Sequence, residues 1–183
     1  MSFKEIEVRS LNENFFTKIG EEWMLVTAGT RENFNTMTAS WGGVGVLWGS
    51  DVTFTFIRQS RYTLDYMKSN PYYSLCFFDG DKQKEMAFCG SNSGRDVDKV
   101  AATGLTPAFA QVLCHSETIE VPYFEEAALV LVCKKLYRQT MTPDCFIDKS
   151  ILDKQYSSTK EGVVFDNFHD VFVGKIAKVL KKN

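Results

Sequence analysis

Apolar residues in the first half of the chain recur in short runs, not in helical stripes. Val52-Thr53-Phe54-Thr55-Phe56-Ile57 alternates large apolar with small polar side chains, the period-two signature of a half-buried strand. Residues 24–27 read as a strand that turns at Ala28-Gly29-Thr30, and residues 34–41 as a second extended run ending at Gly42-Gly43. Residues 72–78 form a further strand, stopped by Asp79-Gly80-Asp81. The aliphatic, β-branched run 127–137 follows Glu125-Glu126 and reads as a central strand, and residues 170–180 as a last strand bent at Gly174.

Helices are few and short. One is expected from a cap at Ser60 or Thr63 to about residue 69, stopped by Asn70-Pro71. Asp81 caps a second over residues 84–88; Ser93 caps a third over residues 94–103, ended by Gly104. Many short strands broken by short helices predict a mainly β fold, a barrel with helical insertions. The βαβ alternation of a doubly wound sheet is missing.

Composition narrows the function classes. A chain of 183 residues, 44% hydrophobic, fits one domain (residues 1–183) whose core needs no metal or disulfide. A net charge of -2 excludes the basic field of a nucleic-acid binder. No apolar run approaches membrane-spanning length, and the N-terminus lacks a secretory segment, so neither a membrane nor an exported setting is expected. Five cysteines, odd in number and without a C-x-x-C, fit a reducing, cytoplasmic location. With only His115 and His169 available, no protein-bound metal is expected.

Three clusters carry chemistry. Thr36-Met37-Thr38-Ala39-Ser40 sets hydroxyls beside Gly42, Gly43 and Gly45, where a ligand can approach the backbone. Arg58, Ser60, Arg61 and Thr63 join two guanidinium forks to an expected helix start, a combination suited to phosphate. The alternative is that each arginine pairs with a surface carboxylate such as Asp65. Ser91, Ser93, Arg95 and Lys99 repeat the donor chemistry, with Arg95 and Lys99 four apart on one expected helix face; an ordinary capped helix explains them equally. His169 is either a proton carrier or substrate contact, or a hydrogen-bonded edge histidine. Together the clusters point to a phosphorylated cofactor. Gly43-Val44-Gly45-Val46-Leu47-Trp48 is not a Rossmann fingerprint, and no Ser-His-Asp set is present.

The order Asn-Thr-Met-Thr-x-Ser-Trp, Arg-x-x-Arg-Tyr-Thr, Ser-Gly-Arg-Asp-x-Asp-Lys and a late His-x-x-x-x-Gly resembles the flavin reductase-like, FMN-binding split-barrel family, with flavoredoxin as the nearest branch. The resemblance spans about residues 23–176. It implies a six-stranded Greek-key split barrel that forms homodimers, with FMN near the subunit interface. It places Thr36, Met37, Thr38, Ala39 and Ser40 along the flavin ring and ribityl chain. It places Arg58, with Arg61 or Thr63 nearby, at the phosphate, Ser93, Arg95 and Lys99 in the phosphate and ribityl cradle, and Trp48 on a flanking loop. His169 falls beside the nicotinamide and flavin, as the one catalytic residue. The implied activity is hydride uptake from NADH or NADPH with electrons passed to free flavin or a protein acceptor. The alternatives are a flavoredoxin-like electron carrier without nicotinamide turnover, and a flavin-binding module without catalysis.

Overall fold

A computed structural model describes residues 2–156 and 167–183 of the chain. Its strands are β1 (Phe3–Ile6), β2 (Met24–Gly29), β3 (Phe34–Ala39), β4 (Gly42–Leu47), β5 (Ser50–Arg58), β6 (Tyr72–Phe77), β7 (Pro107–Cys114), β8 (Glu117–Phe124), β9 (Leu129–Thr140) and β10 (His169–Lys182). Among the described residues four α-helices intervene: α1 (Phe15–Gly20), α2 (Thr63–Ser69), α3 (Gln83–Ser91) and α4 (Lys99–Thr103). Among the described residues no helix is long and apolar enough to cross a membrane.

Eight strands form one antiparallel sheet in the order β3-β2-β6-β9-β10-β5-β4, with β1 also on β10. The path begins at β3 and ends at β4, yet only Ser40 and Trp41 separate those two strands in the chain. The sheet therefore curls until its two ends meet, and no ladder closes β3 onto β4. This is the expected mainly β split barrel, with eight strands in the sheet where the resemblance implies six. Neither Phe3–Ile6 nor the glycine-rich Gly42–Leu47 reads as a strand from sequence.

Two apolar layers explain the continuous hydrophobic runs. Met24, Val26, Leu75 and Leu131 face the inside of the curled sheet with Phe172. The alternate residues Leu25, Cys76, Val130 and Val132 face outward and are covered by Val112 and Val121 of the β7–β8 hairpin. Strands buried on both faces lose the polar-out alternation. The hairpin itself turns at His115 and Ser116, both in the left-handed region (φ 48° and 73°), as two-residue hairpin turns require.

β5 keeps its alternation with an inverted sense. Thr53 and Thr55 point into the barrel and share the hydroxyl of fully buried Tyr73, at 2.8 and 3.3 Å. Phe54 and Phe56 lie on the other face, half-buried. The bend expected at Gly174 is a register shift between Val173 and Gly174. A β-carbon at Gly174 would stand 2.3 Å from the Tyr73 hydroxyl, so the glycine makes room for that phenol.

The helices depart from the sequence reading in their caps. α4 starts at Lys99, not at residue 94, because the Asp98 carboxylate accepts from the Ala101 N–H at 3.0 Å and takes the capping role. Gly104 ends it in the left-handed region as expected. Neither Ser60 nor Thr63 caps α2, whose N-cap residue is Tyr62. The Thr63 hydroxyl instead turns inward and accepts from the Asn35 amide at 2.9 Å. α3 starts at Gln83 after Lys82, without a side-chain cap from Asp81.

Candidate functional site

The C-terminal ends of β3 and β5 and the start of β10 lie at the same end of the sheet. Antiparallel pairing sets His169 directly opposite Arg58. Buried Asp170, next along β10, accepts from Arg138 Nε and Thr140 Oγ1, both at 2.7 Å, which anchors the strand where it delivers His169.

Around this pair is a groove of about 200 Å³, lined by the 37–41 segment, Phe56, Arg58, Arg61, Gln155 and His169. Among the described residues no carboxylate lines it. It shares Ser40, Trp41 and Phe56 with a larger recess of about 610 Å³, walled by Phe15, Ile19, Val44, Met141 and Tyr156. A cationic slot thus opens into an apolar one at the split of the sheet.

The two arginines are tied down from behind. Arg58 donates to the carbonyls of Gln155 (2.8 Å) and Asn167 (3.4 Å), and its guanidinium lies 5.1 Å over the Tyr156 ring. Arg61 donates to the Gly90 carbonyl at 2.6 Å. Beyond these bonds to described residues, each fork has further N–H groups that can meet a ligand. His169 is buried, its ring 5.1 Å from that of Trp41 and its Nδ1 2.8 Å from the Tyr156 hydroxyl. Burial, with Arg58 and Arg61 adding to it, pushes its pKa down to about 4, so the imidazole is neutral at neutral pH.

Among the expected site residues, the fold gathers Met37, Thr38, Ala39, Ser40, Arg58, Arg61 and His169 around this groove. Thr36 lies deeper, its hydroxyl 2.8 Å from that of Thr27. Thr63 is spent on Asn35. Ser91 sits at the end of α3, beside the Gly90 carbonyl that Arg61 holds, with its own hydroxyl on the Ala87 carbonyl.

Arg95 and Lys99 do not share a helix face, since Arg95 precedes α4. Arg95 pairs with Asp65 at 3.0 Å and stacks over Tyr62; its backbone N–H binds Ser93 Oγ. The carboxylate Asp65 thus has an arginine partner, but it is Arg95, not Arg58 or Arg61. Lys99 turns inward, donating to the carbonyls of Thr36 and Cys89, both at 2.7 Å, and burial lowers its pKa. Trp48 stands on the exposed β4–β5 turn against Tyr137, away from the groove. The glycine run after Trp41 is a strand rather than a turn, and Gly42 and Gly43 line the apolar recess.

Sequence reasoning missed Gln155, Tyr156 and Asn167. They come from a stretch without apolar period, and only their position over Arg58 and His169 reveals them.

A curled antiparallel sheet with a cationic groove at its split defines the split-barrel class of cofactor-binding domains. Residues 16–183 match the family described as flavin reductase like domain, and the chain belongs to that family. No curated protein matches it in sequence. Among solved structures it is similar to a flavoredoxin from Methanosarcina acetivorans (20% identity, covering 88% of this chain and 69% of that one, TM-score 0.59). An FMN-binding protein from Thermus thermophilus, solved with bound p-hydroxybenzaldehyde, matches at 20% identity over 98% of this chain and 82% of its own, TM-score 0.60. The NADH:FAD oxidoreductase of Streptomyces globisporus matches at 14% identity over 88% and 75%, TM-score 0.54. Likeness at these identities establishes the fold.

Proposed function

We propose that the chain binds FMN and takes hydride from NADH or NADPH, passing electrons to free flavin or a protein acceptor. The observation that carries this reading is the pairing of Arg58 with neutral His169 at the mouth of an apolar recess. The donor set fits the cofactor. A phosphate monoester of about two negative charges meets Arg58 and Arg61, with no carboxylate among the described residues that line the slot, and a flat ring meets the apolar walls. FMN supplies a ring that accepts hydride, so the protein has only to bind, orient and exclude water. The backbone of residues 37–40 and the hydroxyls of Thr38 and Ser40 border the ring and ribityl chain in this reading. Trp41 and Tyr156 keep water from His169, which offers a hydrogen bond to the incoming nicotinamide. Phe16 of α1, Val46 of β4 and Trp48 in the turn after it are large apolar side chains left exposed, which supports a homodimer.

Anaerobic mixing of FMN-loaded protein with NADH and with NADPH tests the reading. Loss of the yellow flavin absorbance with either donor supports it. A flavin that stays oxidised with both overturns nicotinamide turnover and leaves an electron carrier. Protein that neither takes up FMN nor quenches its fluorescence overturns the whole proposal.

A further inference from the structure

Among the described residues His169 has one side-chain hydrogen-bond partner, the phenol of Tyr156, at 2.8 Å from Nδ1. The contact is built, not incidental. The Tyr156 ring stacks on Phe168 (4.8 Å, 24°) and meets Phe146 edge-on at 5.4 Å. It stands perpendicular to the imidazole at 5.6 Å, while Trp41 packs on that imidazole at 5.1 Å. Both partners of the hydrogen bond are therefore fixed by other aromatic rings.

Two proton arrangements are open to the pair. In one, the phenol O–H donates to Nδ1 and the imidazole proton sits on Nε2. In the other, Nδ1–H donates to the phenol oxygen, and the hydroxyl proton is left with Met141 Sδ at 3.6 Å, a weak acceptor. A phenol is the stronger acid of the two neutral groups, and an imidazole nitrogen the stronger base, so the first arrangement makes the better bond. Both groups stay neutral around neutral pH, because burial holds the imidazole down to about 4 and raises the phenol.

We infer that Tyr156 is a positioning residue that locks His169 in its Nε2–H tautomer. His169 then offers a neutral N–H donor to whatever enters the groove. The ligand group this recognises is a carbonyl oxygen, such as a carboxamide, and not a cation or a second N–H. That consequence rests on the nicotinamide reading of the groove; the tautomer itself does not.

The chain has only two histidines, so ring-nitrogen NMR of 15N-labelled protein without cofactor reads the tautomer directly. His169→Asn assigns the signals. The wild type is expected to show Nδ1 of His169 in the unprotonated range and Nε2 in the protonated range. Tyr156→Phe keeps the stacked ring and is expected to move Nδ1 toward the protonated range as the two tautomers mix, while His115 stays unchanged. A wild-type His169 protonated on Nδ1, or ring shifts unmoved by Tyr156→Phe, overturns the lock. If Tyr156→Phe fails to fold, the wild-type spectrum decides alone. Because no flavin is present, a chain that never oxidises a nicotinamide refutes the functional reading and leaves this one standing.

Discussion

β5 and β10 together build two polar clusters, and they are opposites. At the middle of the pair, Gly174 faces Thr53, and the Tyr73 phenol, reaching across the barrel from β6, lies over both strands with its hydroxyl bonded to Thr53 and Thr55. At the end of the pair, His169 faces Arg58, and the guanidinium forks carry N–H donors that no described residue takes, over an open groove. The first cluster is neutral, saturated and sealed. The second is cationic, part-satisfied and open. A polar group buried with every partner present holds the strands in one register; a group held ready but left short of partners is what a ligand can complete.

The contrast predicts which substitutions harm the fold and which harm the groove. Tyr73→Ala removes a fully buried ring and takes away the hydroxyl that Thr55 bonds, and is expected to cost about 3–5 kcal/mol in denaturant unfolding. A cost near that of a surface change shows that the sealed cluster does not hold the register. Arg58→Ala is expected to leave stability nearly unchanged but to weaken FMN by about 1.5–3 kcal/mol while riboflavin, which lacks the phosphate, loses little. Equal weakening of both flavins in fluorescence titration removes Arg58 from the anion.

Gly174→Ala drives a β-carbon to 2.3 Å from the Tyr73 hydroxyl and is expected to cost about 1–3 kcal/mol. In a Tyr73→Phe background part of that cost should vanish, and a double mutant with purely additive losses denies the clash.

The last comparison concerns pH. His169 titrates near 6.5 when unfolded and near 4 when folded, so as acidity rises the unfolded chain takes up the proton first. The stability due to neutral His169 is full above pH 6.5 and is lost as pH falls from 6.5 to about 4. His169→Asn should flatten this part of the stability profile; an unchanged slope shows that His169 is not the group responsible.

What could be read in advance follows the same division. Strands β2, β6 and β9 are legible because burial on both faces demands largely apolar runs. The β7–β8 hairpin escapes notice because Pro107, Gln111 and the charged Glu117 and Glu120 dilute its apolar face. β4 hides behind three glycines that imitate a turn. Arg58, Arg61 and His169 stand out because cations and histidines are scarce in apolar surroundings. Lys99 and Arg95 have the same chemistry, but sequence spacing does not reveal that Asp98 delays the helix or that Lys99 folds back under β3. Gly94 shows the same limit: its missing side chain matters because the Asn35 amide occupies that space, 2.1 Å from where a β-carbon would lie.

β10 pairs with β1, β5 and β9, strands that span nearly the whole length of the chain. During synthesis, all three wait with unpaired edges until residues 169–182 leave the ribosome. Such edges are where nascent chains stick to one another. Long-range pairing of this kind is slow to form. Assembly of the sheet and completion of the groove are then one event, since the strand that closes the first also carries His169 into the second.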